Sequence, residues 1–186
     1  MANKIMFASD LHGDMYCTAR MLDEFDREGA DKLILLGDLL YHGPRNDLPP
    51  VYKPKIVIEL LNRYKDKLLC VRGNCDAEVD DMVLDFPIMA DYGWLLLNGK
   101  SVYITHGHHI GENNVKDLPE GSILITGHTH LYANREIEKG IRYLNPGSVT
   151  LPKEGNEKTY MTYSFEDSTF RIKTLEGGKV VSEYTI

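Results

Sequence analysis

Five short segments carry the side chains that could do chemistry. They are Asp10-Leu11-His12, Gly37-Asp38, Gly73-Asn74, Thr105-His106 and Gly127-His128-Thr129-His130. On an extended backbone, residues two apart project to the same side, so Asp10 pairs with His12 and His128 with His130. Imidazole beside imidazole or carboxylate is a ligand set for a transition metal. One such pair would read equally well as polar residues on a surface loop. Their recurrence carries the argument, because all seven polar residues sit within a few positions of the end of an apolar run. None of the seven histidines falls inside a predicted helix or strand. Oxygen and nitrogen donors without thiolate suit Mn, Fe or Zn better than a structural zinc site. Two such ions about 3.5–4 Å apart lower the pKa of a shared water, polarise phosphoryl oxygens and clamp an in-line displacement. The chemistry this set suits is phosphate-ester hydrolysis.

The elements that must position these residues follow from the apolar pattern. Residues 4–9, 32–36 and 67–71 read as buried strands. Helical spacing at Met15, Ala19, Leu22 and Phe25, and again at Ile56, Leu60, Leu61 and Tyr64, predicts two helices between them. Asp14 stands where the first helix needs a cap, and Gly29 where it needs a stop. This alternation predicts a parallel sheet with right-handed crossovers, whose carboxyl ends are where binding crevices form. After Asp85 the pattern changes to hairpins. One turns at Asn98-Gly99, another spans residues 135–144, and a buried strand at 122–126 leads into Gly127. Residues 160–165, 169–174 and 179–185 are further strands, expected with the hairpins in a second sheet packed on the first, helices outside. Trp94 and Leu95-Leu96-Leu97 are expected in the core.

The chain has 186 residues, 42% hydrophobic and 26% charged, as expected for one globular domain spanning residues 1–186. A formal net charge of −7 argues against non-specific nucleic-acid binding. The start of the chain meets Asp10 too early for a signal peptide, and no apolar run approaches the roughly 18 residues of a membrane span. Cys17, Cys70 and Cys75 make no CxxC pair and no even disulfide framework, which fits a reducing cytoplasm. Cys17 and Cys70 read as buried small hydrophobes.

The ordered motifs Asp10-Leu-His12, Gly37-Asp38, Gly73-Asn74-Cys75-Asp76, Thr105-His106-Gly107-His108 and Gly127-His128-Thr129-His130 resemble those of the calcineurin-like metallophosphoesterase superfamily. Val71-Arg72-Gly73-Asn74-Cys75-Asp76 and Asn145-Pro146-Gly147-Ser148 are similar to segments of its small bacterial YfcE-type phosphodiesterases. The resemblance runs from about Asp10 to Ser148. It implies an α/β fold, a four-layer α/β/β/α sandwich, with a binuclear site often occupied by manganese, Fe, Zn, Co or Ni being the alternatives. It implies that Asp10, His12, Asp38 and His130 hold one ion. Asp38, Asn74, His106 and His128 hold the other, so that Asp38 bridges.

The implied activity is cleavage of a phosphodiester by in-line attack of a hydroxide shared between the two ions. The substrate is a small molecule, and association into a homo-oligomer is left open. Asp38, Asn74, Cys75 and Asp76 form the candidate catalytic set, with Asp76 an orienting partner rather than a ligand. His108 and His109 belong to the surrounding loop. Arg45, in His42-Gly43-Pro44-Arg45-Asn46, is a candidate phosphate contact. Most of the superfamily has His where this chain has Cys75, and cysteine supplies no cationic donor near neutral pH. That departure favours diesters over monoesters, or else makes Cys75 a packing residue. Two other readings share the fold: a phosphomonoesterase or protein phosphatase, and a protein-binding scaffold without activity, as in the retromer subunit of this fold.

Overall fold

The computed structural model describes residues 3–186. Strand β1 (Lys4–Ala8) is apolar on both sides because both sides are covered. Met6 and Ala8 pack beneath the helices, while Ile5 and Phe7 face a second sheet. Strand β2 (Lys32–Leu35) repeats the arrangement, with Leu33 and Leu35 on the helix side and Ile34 on the other. Helix α1 (Met15–Glu28) starts at Asp14, whose Oδ1 accepts the Cys17 N–H at 2.8 Å, and stops at Gly29 in the left-handed region. Helix α2 (Pro54–Asn62) begins on proline, which suits a first turn. Strand β3 (Leu68–Cys70) follows, and β1, β2 and β3 are parallel as the alternation predicts.

A four-residue helix α3 (Glu78–Asp81) leads to β4 (Tyr92–Leu97), β5 (Lys100–Thr105), β6 (Ile123–Ile125), β7 (Tyr132–Ile137) and β8 (Ile141–Pro146). These form the second sheet in the order β4-β5-β6-β8-β7, with β5, β6 and β8 parallel. The chain ends in β9 (Thr159–Ser164), β10 (Thr169–Thr174) and β11 (Val180–Thr185). Here the structure corrects an expectation. The last three strands do not join the second sheet; β9 pairs antiparallel with β1, giving the first sheet the order β11-β10-β9-β1-β2-β3. The reason lies in β9, which is buried on both faces: Tyr160 packs under the helices, and Met161 and Tyr163 face the second sheet. Such a strand needs a two-sided berth, and the open edge of β1 supplies one.

Two further details differ. Trp94 and Leu96 are 53% and 61% exposed, not core. Side chains alternate along β4, so Leu95 and Leu97 turn inward and Trp94 and Leu96 turn out at the sheet edge. The outer layer over the second sheet is thin. Val115 and Leu118, in a segment of turns rather than a helix, cover Leu124, Ile141 and Tyr143. No helix among the described residues is long and apolar enough to cross a membrane.

Glu28 fastens the end of α1 to the first sheet. Its carboxylate accepts Lys4 Nζ at 2.7 Å, Lys173 Nζ at 2.5 Å and the Tyr160 hydroxyl at 3.0 Å. Burial alone would raise this carboxyl, but the two ammonium groups outweigh it and hold it below the ordinary glutamate value of 4.5. A lowered folded-state pKa stabilises the fold above that value and ceases to do so as the pH falls through it. Glu28→Gln should therefore cost about 1–2 kcal/mol at pH 7 in urea unfolding. The difference from wild type should shrink below pH 4.5; a difference independent of pH would contradict this role.

Candidate metal centre

The loops leaving β1 and β2 are laced together. The Asp10 N–H donates to Gly37 O at 3.2 Å, His12 N–H to Asp38 O at 2.9 Å and Gly13 N–H to Leu39 O at 2.9 Å. This lacing holds an unusual backbone. Asp10, His12, Asp38, His128 and His130 have φ of 59°, 48°, 57°, 67° and 61°, five of the nine non-glycine residues with positive φ among the described residues. The left-handed region costs roughly 1–2 kcal/mol per L-residue, and strain of this kind clusters where function needs it. The glycines before the ligands make room. A Cβ on Gly127 would collide with Ser9 Oγ and crowd the Asp10 carboxylate, and one on Gly73 would collide with the Asp38 carboxylate.

Three backbone carbonyls then fix the rings. His12 Nδ1–H donates to Tyr41 O at 2.8 Å, His106 Nδ1–H to Leu36 O at 2.6 Å and His130 Nδ1–H to Leu151 O at 2.6 Å. A carbonyl only accepts, so in the neutral ring the proton sits on Nδ1 and Nε2 carries a lone pair. Those lone pairs point at other acceptors. His12 Nε2 lies 3.2 Å from His130 Nε2 and 3.7 Å from Asp10 Oδ1. His106 Nε2 lies 3.0 Å from Asn74 Oδ1 and 3.2 Å from His128 Nδ1. Asp10 Oδ1 is buried, makes no well-formed hydrogen bond, and faces His130 Nε2 at 3.3 Å. Acceptors that converge in this way repel one another unless a cation lies among them. The residues fit divalent metal ions.

Asp38 stands between the two clusters. Its Oδ2 is 3.8 Å from His12 Nε2, and its Oδ1 is 3.5 Å from His106 Nε2. Ligand atoms within 4.8 Å of one another occur in Asp10–His12–His130, in Asp10–Asp38–His106 and in His12–Asp38–Cys75. Burial alone would raise the Asp10 carboxyl, yet His130, His106 and His12 together hold it far below the carboxylate range. Burial pulls His130 down, but Asp10 outweighs it and its net shift is upward; His12 and His128 are lowered, chiefly by burial.

The remaining candidates have distinct places. Asp76 is buried and accepts the N–H groups of Asp38 at 2.9 Å, Leu39 at 2.8 Å and Gly73 at 2.7 Å. It ties the Gly37-Asp38 loop to the Gly73-Asn74 loop. Cys75 gives its N–H to Asp38 Oδ1 at 2.8 Å, and its thiol receives Asn74 Nδ2 at 3.3 Å. Burial, then the Asp38 charge, push that thiol up to about 12, so it is a neutral S–H at physiological pH. Arg45 lines a cavity of about 360 Å³ together with Asp38, Asn74, Cys75, His128 and His130. Its loop is closed by Asn46 Nδ2 donating to His42 O at 2.8 Å. His108 stacks near His106 and His128, and burial with the neighbouring imidazoles pushes it down to about 4.

A domain model described as the calcineurin-like phosphoesterase superfamily domain matches residues 4–168. The chain belongs to the calcineurin-like phosphoesterase superfamily. It is 48% identical over 157 residues to the phosphodiesterase YfcE of Escherichia coli K12, an alignment covering 84% of this chain and 85% of that one. The solved structure of Escherichia coli YfcE, described as a phosphoesterase, superposes with a TM-score of 0.93 at 42% identity, covering 98% of this chain and 99% of that chain. Vps29 of Chaetomium thermophilum superposes with a TM-score of 0.64 at 16% identity, covering 99% of each, a likeness of fold alone. The fold is that of the superfamily: two mixed sheets, with the carboxyl ends of their parallel strands at one edge.

Some groups that build this centre left no mark in the sequence, while the Asn145-Pro146-Gly147-Ser148 segment was noted there for its likeness to YfcE-type proteins. The carbonyls of Tyr41, Leu36 and Leu151 belong to backbone, which any residue type would supply. Ser148 Oγ donates to Asp10 O at 2.9 Å, and Asn145 Nδ2 to Gly127 O at 2.8 Å, so Asn145-Pro146-Gly147-Ser148 braces two ligand loops. Lys153 shares the cavity with Arg45 and went unnoticed as one lysine in a polar loop. The geometry sets an expectation for metal analysis after gel filtration. Asp38→Ala, which removes the carboxylate facing both clusters, should lower bound Mn²⁺ more than His128→Ala or His130→Ala. His128→Ala and His130→Ala should each lose about tenfold or more in affinity at one cluster, and Asp38→Ala at both. Equal, undiminished loading in all three would contradict the assignment.

Proposed function

We propose that this chain is a metal-dependent phosphoric diester hydrolase with a binuclear centre, acting as one catalytic domain in the bacterial cytoplasm on a small-molecule substrate. The observation that carries the reading is the convergence of imidazole nitrogens and carboxylate and amide oxygens in two clusters that share Asp38. The kinship with YfcE supports the choice of a phosphodiester as substrate class. Asp10, His12, Asp38 and His130 would hold one ion, and Asp38, Asn74, His106 and His128 the other. With nitrogen and oxygen donors only, Mn²⁺ is the preferred occupant, and Fe, Zn, Co or Ni are alternatives. Bound there, two such ions activate a shared water and neutralise charge on the phosphoryl oxygens.

The chain's own residues do the rest. The Leu36, Tyr41 and Leu151 carbonyls keep the imidazoles in the ligating tautomer and stop them from turning. Asp76 fixes the backbone on either side of Asp38, so both oxygens of Asp38 stay aimed. Arg45, on the cavity wall, is placed to take a phosphoryl oxygen of the substrate. Cys75 lines the same cavity as a neutral thiol. It offers no positive charge to a departing alkoxide, so leaving-group protonation is weak. A singly charged diester needs less cationic help than a doubly charged monoester, and the substrate preference follows.

Mn²⁺-loaded protein should hydrolyse bis(p-nitrophenyl) phosphate faster than p-nitrophenyl phosphate, and Asp38→Ala should abolish both activities. Hydrolysis of neither ester by the loaded wild type would overturn the enzyme reading. Cys75→His should raise monoester turnover relative to diester turnover by about tenfold or more, the lower end of what a positioned acid contributes. An unchanged ratio would make Cys75 a packing residue.

A further inference from the structure

The diester reading leaves open what the two arms of the substrate carry, and the walls on either side of the metal centre differ in charge. Two cavities meet at His128 and Thr129. The first, of about 360 Å³, has Arg45 and Lys153 on its walls; the second, of about 270 Å³, is lined by His108, His109, Glu112, Asn113 and Asn114. In the first cavity the one carboxylate among the lining residues is Asp38, at the metal ligands. Neither Arg45 nor Lys153 is in an ion pair or a side-chain hydrogen bond among the described residues, whereas in the second cavity Glu112 is paired with Arg135. In a chain of net charge −7, two unpaired cations sharing one cavity beside the centre are a local reversal of sign.

Lys153 is rooted there rather than adrift. Its N–H donates to the carbonyl of His130 at 3.2 Å, and two residues earlier the Leu151 carbonyl receives His130 Nδ1 at 2.6 Å. Its own carbonyl accepts both the N–H of Asn156 at 3.0 Å and Asn156 Nδ2 at 2.9 Å. The backbone then turns through Glu154 and Gly155, both at positive φ, and Glu154 lines a different cavity with Glu112 and Arg135. The turn thus separates the ammonium from its neighbouring carboxylate. The Lys153 backbone is fixed to His130, and the residue lines the same cavity as Arg45.

Building on the phosphodiesterase reading, we propose that Lys153 is a specificity-determining residue. Beside Arg45, which takes a phosphoryl oxygen of the scissile group, it supplies an anion subsite for a second negative group, a carboxylate or a phosphate, on one arm of the diester. The preferred substrates are accordingly diesters carrying one charge at the scissile phosphate and another on an arm. A neutral or zwitterionic arm leaves the Lys153 ammonium uncompensated.

The test separates this proposal from the activity on which it rests. Two non-hydrolysable phosphonate analogues of a diester are titrated calorimetrically into Mn²⁺-loaded protein; one has an arm ending in a carboxylate, the other in the matching carboxamide. Wild type should bind the carboxylate about three- to tenfold more tightly, the range of a partly exposed ion pair reinforced by a second cation. Lys153→Ala should erase most of that ratio, Lys153→Glu should invert it, and Lys153→Arg should keep it. Equal affinities in wild type, or a ratio unmoved by Lys153→Ala, would overturn the subsite. Turnover of the corresponding p-nitrophenyl diesters is read in parallel. Its absence with the affinity ratio intact would overturn the hydrolase reading and leave the subsite standing.

Discussion

Everything at this centre depends on where three imidazole protons go. The carbonyls of Leu36, Tyr41 and Leu151 claim the Nδ1 protons of His106, His12 and His130, and that choice turns three Nε2 lone pairs inward. A histidine free to rotate or to change tautomer would settle these contacts by donating a proton to its neighbour. Here three rings are held, and the inward face becomes a set of converging acceptors. Asn74 Oδ1 and Asp10 Oδ1 add to the same surplus of negative potential. The fold maintains this arrangement through strained backbone at five ligand positions, a cost of several kcal/mol in total by the usual figures. The core clusters on both faces of the first sheet and the lacing of the β1 and β2 loops offset it.

The two-sheet architecture explains why the ligands come from so many places in the chain. Parallel strands β1, β2 and β3 of one sheet and β5, β6 and β8 of the other end at the same edge, and each end delivers one loop. The inter-sheet core, with Phe7, Ile34, Ile104, Ile125 and Tyr163, sets the distance between the two groups of loops. Asp38 comes from one sheet and His106 from the other, and their 3.5 Å approach is therefore a property of the packing. The charged wall with Arg45 and Lys153 is built on the same frame, since the Lys153 loop is pinned to His130.

Much of this was legible in the sequence, and the failures have physical causes. Asp10, His12, Asp38, Asn74, His106, His128 and His130 stood out as candidates because polar side chains of those types recur at strand ends, and the structure brings all seven together. The division into two clusters was not readable, because spacing along the chain says nothing about which strand end faces which. The strands from β1 to β8 were found from apolar runs and turns, but the partner of β9 was misjudged. Its burial on both faces depends on an open edge of β1 that no local pattern reveals. Trp94 was misplaced for a related reason: alternation gives the face a side chain takes, not whether anything covers that face. The carbonyls that orient the imidazoles were invisible, as backbone groups always are. Lys153 was hidden because only the fold brings it beside Arg45.

The most direct test of the central claim is an anomalous-difference map of the crystallised protein soaked in Mn²⁺, recorded at the manganese edge. Two peaks are expected, about 3.5–4 Å apart, one on each side of the Asp38 carboxylate. Asp10, His12 and His130 should surround one peak, and Asn74, His106 and His128 the other. A single peak, or none within ligand distance of Asp38, would contradict it.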